Sequence, residues 1–464
     1  MATSAIYRDL SGATDNGKFT FSCWFKHAKP GAGGKLYHNK VDASNQATIH
    51  LESNGTVEFM TISSGVGVGY LKTQMAFDDT NAWYHLVCVT DFTNGTADDR
   101  MKMWVNGVRQ TVWNSSGNPG TTDTNNFVTN TTTNGNAIGA NVSDGNSYFE
   151  GSMSHVIAIY GNNYDASYFG EFEDNVWKIK TNPSVTYDAK GYYLKMEDST
   201  NLDLDSSGNS IAFTTAGNLM ANKDNPSNNL CNVNWQAKGM VDTTSDSNKN
   251  CGNTVLIQQS SFRANVGSLP VSAGKWYAEF KLRTASGTSG YDGIGVLNIN
   301  PNPGDMSNQD PIRIGTYTNG VSYLSDGSVA KGNSTVRTDS SFTTGDIISI
   351  AMDLDNGFIY WAKNNTWQNS GDPTSGATGT GGYAISNILD SGSFGATDPG
   401  SYVMGVTGRS SSSAPYFDIN WGGGWFDTTA ISSPNADSSG YGAFNYTPPT
   451  NFLTICTNNI STNG

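Results

Sequence analysis

The side chains that could do chemistry in this 464-residue chain are few and widely spaced. There are only seven glutamates, and glycoside hydrolysis needs two carboxylates about 5–9.5 Å apart across a cleft. Glu171-Phe172-Glu173-Asp174 comes nearest to the alternating-carboxylate strand of a lectin-fold glucanase. It follows the last regular strand of its region, beside Tyr168-Phe169, and reads as a solvated turn or a helix start. A serine nucleophile needs a histidine base and a constellation such as GxSxG, which is missing. The five histidines, at 27, 38, 50, 85 and 155, show no HxH or HExxH spacing. His85 in WYHLV and His155 in MSHVI read as hydrogen-bonded strand residues. Gly31 to Lys35 is too short for a phosphate loop and lacks the Ser/Thr that follows its lysine. The expectation is a protein that binds and does not catalyse, with no cofactor.

Calcium is the one cation the pattern admits. Hard cations take several oxygens from Asp, Asn and backbone carbonyls. Asp78-Asp79, Asp98-Asp99 and the Asp353, Asp355, Asn356 group could supply them, or could instead bond their own backbone in turns. Aromatic rings could stack on sugar faces. Trp113 in a polar stretch, Tyr148, Trp361 and Trp367 are the candidates. In NWGGGWF, Trp421 reads as core, and Trp425 is a further candidate.

The elements that must position these residues are strands. Glycine is abundant at 53 residues, aromatics make up 11% and charged residues 14%, a composition of many short strands joined by polar turns. The net charge of −14 disfavours a nucleic-acid partner, which would need clustered Lys and Arg. No apolar run approaches the ~20 residues of a membrane span, and the opening MATSAIYRDLSG lacks the basic start and apolar core of a secretory signal. The cysteines, at 23, 88, 231, 251 and 456, are odd in number and include no CxxC. Cys23 and Cys88 read as small buried hydrophobes. Cys231 and Cys251 could pair across a loop, although nothing indicates an oxidising compartment.

KFTFSCWFK at 18–26 alternates with a period of two, placing Phe19, Phe21, Cys23 and Phe25 on one face. Further strands are expected at 48–52, 56–62, 83–90, 101–106, 137–138 and 153–160, punctuated by Asn54-Gly55 and Asn106-Gly107 turns. In GDIISIAMDLDNGFIYWAKNNTW, from Gly345 to Trp367, two apolar runs flank Asp355-Asn356-Gly357, and a second turn precedes the tryptophan. That is a hairpin, with Ile348, Ile350, Met352 and Leu354 facing a core.

These motifs carry resemblances. FTFSCWFK, AWYHLVCVTD, RMKMWVNGVRQT, AIGAN and YFEGSMSHVIAIY stand in the order seen in the laminin-G/pentraxin branch of concanavalin A-like lectin domains. GKWYAEF at 274–280 and the Gly345–Trp367 hairpin resemble SPRY domains, sandwiches that bind partners through loops at one end. The fold implied is all-β, two antiparallel sandwiches: a lectin-like jelly roll at 1–180, an Asn-rich irregular join at 181–229, a SPRY-like sandwich at 230–427 and a docking tail at 428–464. Laminin-G-like relatives often bind calcium on loops. The ending YGAFNYTPPTNFLTICT resembles that of phage virion proteins that join the same two kinds of unit. Asn451 stands where that family often has glycine. The resemblance implies a virion structural protein made in the host cytoplasm: a tail fibre, spike or head appendage. Its partners would be other virion proteins and a host surface glycan or receptor. A protein binding only virion components and a lectin-fold glycanase are the alternatives. A homo-oligomer is expected, a trimer by the resemblance. Phe444, Tyr446, Phe452 and Leu453 are expected to be buried against a neighbouring copy or a virion anchor, or else folded back on the chain's own sandwich.

Overall fold

The structure is a computed structural model. It describes residues 4–9, 17–28, 31, 33–128, 135–142, 147–234, 254–258, 260–299, 314–315, 319–388 and 400–464. The chain divides into two compact units, Met1–Ala221 and Asn222–Gly464.

The first unit has two main antiparallel sheets besides a separate two-stranded hairpin. One has eight strands in the order Trp113–Gly117, Val66–Thr73, Val57–Ser63, Gln46–Leu51, Gly34–Lys40, Asn136–Ile138, Ala5–Arg8 and Thr214–Ala216. The other has six: Tyr192–Leu194, Gly151–Tyr160, Lys18–His27, Tyr84–Asp91, Met101–Val105 and Val108–Arg109. Phe19, Phe21, Cys23 and Phe25 from the six-stranded sheet meet Tyr37, Ile49, Phe59 and Leu71 from the eight-stranded one in a single core. The period-two alternation therefore does what it forecast, and the strand bounds agree to within two residues.

Residues 181–229 are largely irregular, as expected, but they also contribute two short strands to the first unit. Tyr192–Leu194 pairs with Gly151–Tyr160, and Thr214–Ala216 pairs with Ala5–Arg8, so each sheet takes an edge strand from this stretch. Tyr192 and Leu194 are fully buried. A three-residue strand inside a polar stretch is too short to show a period, and the long-range pairing alone reveals it.

In the second unit, one sheet carries Thr254–Leu256, Tyr416–Asn420, Lys275–Thr284, Ile347–Asp353, Phe358–Lys363 and Thr366–Trp367 in order. The facing sheet carries Arg263–Val266, Tyr402–Gly408, Gly293–Asn298, Gly320–Leu324, Ser328–Lys331 and Ser334–Thr338. The Gly345–Trp367 hairpin forms as expected. Ile348, Ile350 and Met352 are fully buried in this unit's core, and Leu354 packs half-buried against it. Asn364 and Asn365, at φ +47° and +67°, make the second turn.

Residues 428–464 are no free tail. Leu453–Thr454 runs parallel to Lys275–Thr284. Phe444 and Phe452 are fully buried against Tyr277, Ala351 and Tyr360, and Leu453 packs half-buried on the main core of the unit. The amides of Asn445 and Tyr446 donate to the buried Glu279 carboxylate at 2.8 and 2.7 Å. Of the alternatives for this segment, the structure has the one in which it folds back on its own sandwich. Of the four residues expected to make a contact with another copy or an anchor, Phe444 and Phe452 are buried within the unit, and Tyr446 and Leu453 are half-buried.

Candidate functional site

Directly opposed residues of an antiparallel pair share a face, so register decides which side chains meet. Two turns set the register of three strands in the eight-stranded sheet. The Glu52–Gly55 turn, with Gly55 at φ +80°, places His50 opposite Glu58. The two-residue turn Ser64-Gly65, with φ of +50° and +79°, pairs Ser63 with Val66, and a bulge at Val68 then places Glu58 opposite Lys72. A bulge at Leu36 sets Lys35 opposite His50.

The outer face of the sheet therefore carries two cross-strand rows. One reads Lys35, His50, Glu58, Lys72, Ser115. The other reads Tyr7, Ala137, His38, Thr48, Met60, Tyr70, Gly117. Their inward neighbours, Ile6, Tyr37, Ile49, Phe59 and Leu71, form the core. A Cβ at Gly117 would lie 2.5 Å from the Tyr70 ring, so the missing side chain lets that ring rest against the edge strand. Tyr70 and Met60 are half-exposed, as are His50, Glu58 and Lys72.

The charged row is internally balanced. His50 Nδ1 lies 3.3 Å from Glu52 Oε1, and Lys72 Nζ lies 4.0 Å from the same oxygen. Burial, then the Lys35 ammonium, holds the His50 pKa down to about 4, so its imidazole is neutral at physiological pH. Burial also lowers the Lys35 pKa, against the pull of Glu58 and Glu52. At the other side of the face, Val142 N donates to His38 Nδ1 at 3.0 Å, which leaves the proton on Nε2 to donate to Gln46 Oε1 at 3.0 Å. Tyr148 bridges to Lys35 and hydrogen-bonds the Tyr7 hydroxyl; burial, then the neighbouring Tyr148, raises the Tyr7 pKa.

Residues 3–164, within this unit, match the model of the concanavalin A-like lectin/glucanases superfamily, Laminin_G_3. The chain contains a domain of concanavalin A-like lectin/glucanase type. It also has a SPRY-like structural neighbour: the SPRY domain of human HERC1, at 17% identity and a TM-score of 0.26, covers 36% of this chain and 87% of its own. Domain 4 of AbnA, an extracellular arabinanase of Geobacillus stearothermophilus solved with arabinotriose, shows 18% identity and a TM-score of 0.24. That likeness covers 33% of this chain and 65% of the other. A search of curated proteins returns no match.

Of the aromatic candidates, Tyr148 alone adjoins these rows, and Trp425 lies half-buried opposite Ala430 in the second unit. Trp113 sits half-buried against the first core, because it pairs with the inward Thr73. Trp361 is 1% exposed, directly opposite Ile350 in the second core. Trp367 is half-buried against the Phe444–Phe452 group. The Trp361 indole offers no open face for stacking. Tyr70 and the charged row went unnoticed because each strand contributes one ordinary polar alternation.

Three of the four paired acidic candidates are engaged by neighbouring side chains or amides. Asp79 accepts from the Asn81 amide at 2.9 Å, Asp98 from Asn118 Nδ2 at 2.6 Å, and Asp99 pairs with Arg109 at 2.7 Å. Asp78 is exposed. None of these four belongs to a cluster of three or more potential ligands among the described residues. Asp353 is buried, pairs with Lys275 at 2.7 Å and accepts from Asn356, while Asp355 accepts from the Gly274 amide. The Asn356 bond is local to the turn, and the other two tie that turn to the start of Lys275–Thr284.

Glu171 and Glu173 lie on a two-stranded hairpin, Gly170–Glu173 with Val176–Ile179, in place of the expected turn or helix start. Both are exposed and pair with Lys180 at 3.4 Å and Lys178 at 2.8 Å. His85 is fully buried: Trp177 Nε1 donates to its Nδ1 at 3.0 Å, so its Nε2 proton points at Ser22 Oγ, 2.9 Å away. That tautomer cannot take a proton from the serine. Cys231 is buried with its Sγ 4.0 Å from Ser268 Oγ, and Cys251 lies outside the described residues.

Proposed function

We propose that the chain is a non-catalytic carbohydrate-binding protein of a virion appendage, and that it grips its glycan on the outer face of the eight-stranded sheet. One observation carries this: Tyr70, seated on Gly117, lies in the row next to Lys35, His50, Glu58 and Lys72. A sugar presents an apolar face and a rim of hydroxyls. A ring for the face and a few converging donors and acceptors for the rim are the complementary parts. The superfamily match over residues 3–164 supports the unit as a lectin-type domain. The virion setting rests on the order of the two sandwiches and the YTPPTNFLTICT ending.

One such shallow site binds weakly, and linking copies raises avidity by roughly 10²–10⁴. A closed homo-oligomer, a trimer by the sequence resemblance, fits that need. Its contacts lie elsewhere than Phe444 and Phe452, which are already buried. Labelled full-length protein should bind host cells and be displaced by oligosaccharides released from their surface. Binding to purified virions but not to cells would favour the alternative in which the chain contacts virion proteins alone. Release of reducing ends from those oligosaccharides would favour the glycanase.

A further inference from the structure

We propose that His50, Glu52 and Glu58 form a binding site for a divalent cation of the zinc class. The sheet assembles three donors from two neighbouring strands. His50 and Glu52 stand two residues apart and so point to one side, and Glu58 faces His50 directly across the pair. One ligand atom from each lies within 4.8 Å of the other two. Metal–ligand bonds of about 2.1 Å place tetrahedral neighbours about 3.4 Å apart. His50 Nδ1 and Glu52 Oε1, at 3.3 Å, already hold that spacing. The remaining gap closes by a shift on the order of 1 Å, within reach of a carboxylate side chain changing rotamer.

The donor set selects the ion. One imidazole and two carboxylates suit zinc and its neighbours, whereas calcium requires six to eight oxygens. Three protein ligands leave a fourth position open to solvent or another ligand. The ammonium groups of Lys35 and Lys72 stand beside the carboxylates, with Lys72 Nζ 4.0 Å from Glu52. Lys72 is part-exposed and can swing outward on its four-carbon stem. It therefore competes with the ion, and this gives the proposal a sign-specific test. The site stands on geometry apart from the glycan reading, and its test uses no glycan.

Untagged full-length protein is titrated with Co²⁺, followed by visible absorption, and with Zn²⁺, followed by calorimetry. One ion per chain should bind, and Co²⁺ should develop ligand-field bands. His50→Ala and Glu58→Gln should each weaken binding at least tenfold, and Lys72→Met should tighten it several-fold. Circular dichroism confirms that each variant is folded; because all three positions are part-exposed, the substitutions leave the core intact. The proposal is overturned if the parent shows no saturable binding, or if both His50→Ala and Glu58→Gln keep full affinity. It is equally overturned if Lys72→Met weakens binding, since an ion held by these three residues beside that ammonium must gain when the charge is removed.

Discussion

Glu279 fastens the last segment of the chain to the second sandwich, and its replacement by glutamine should flatten the pH dependence of that unit's stability. The carboxylate is fully buried and both oxygens are doubly engaged. Oε1 accepts from the Tyr446 amide at 2.7 Å and the Tyr277 hydroxyl at 3.2 Å; Oε2 accepts from the Asn445 amide at 2.8 Å and Asn420 Nδ2 at 3.1 Å. Burial outweighs these bonds and pushes the pKa up from 4.5 to about 7. The folded unit thus keeps a proton that the unfolded chain releases across this window. Stability then falls as pH rises, by about 1.4 kcal/mol per unit and about 3 kcal/mol in all. Asp292, raised to about 6 by burial, adds the same sign in the lower half of the window. The diagnostic interval is therefore about pH 6 to 7.5. Urea unfolding read by hydrogen exchange, peptide by peptide, keeps the two units apart. The parent should lose about 1–2 kcal/mol over that interval. Glu279→Gln should lose less than half as much while being weaker throughout, because an amide nitrogen cannot accept the bonds it inherits, each worth about 1.5–3 kcal/mol. A parent whose stability is flat or rising between pH 6 and 7.5, or a variant with the full slope, would refute the reasoning.

Ile350→Ala, which empties a fully buried position opposite Trp361, should cost about 2–5 kcal/mol in urea unfolding of the second unit. A chain ending at Asp427 loses Phe444, Phe452 and the partners of Glu279; it should expose the second core to dye and protease while its light-scattering mass per particle, scaled for length, matches the parent's. Glu171→Gln and Glu173→Gln should leave glycan binding unchanged, and neither parent nor variants should release reducing ends from polysaccharide, since both carboxylates sit exposed against lysines.

The core-facing half of the fold was legible wherever alternation ran long enough. KFTFSCWFK and GDIISIAMDLDNGFIYWAK each declare an inward face because a buried face must be apolar at every second residue. The inward placement of Ile350 also implied that of Trp361, since opposed residues share a face; applying register across the turn would have removed Trp361 from the binding candidates. The charged row was partly legible for the same reason. The turn at Asn54-Gly55 implies His50 against Glu58, whereas Glu58 meets Lys72 only because a bulge at Val68 shifts the register after the Ser64-Gly65 turn. Lys35 and Gly117 were out of reach, because a bulge and an edge pairing across more than forty intervening positions set them there. The edge strands Tyr192–Leu194 and Thr214–Ala216 and the returning segment at Leu453 were hidden because two or three residues carry no period, and their partners are distant in sequence.

The measurement that bears most directly on the glycan-binding face is a glycan array probed with the labelled full-length chain and with Tyr70→Ala. The parent should retain a restricted set of related glycans. The variant, folded by circular dichroism, should lose at least tenfold of that signal, while Trp361→Phe, altered in the other unit's core, should keep it. A parent that binds no glycan, or a Tyr70→Ala chain that binds as the parent does, would contradict the placement of the site on this sheet.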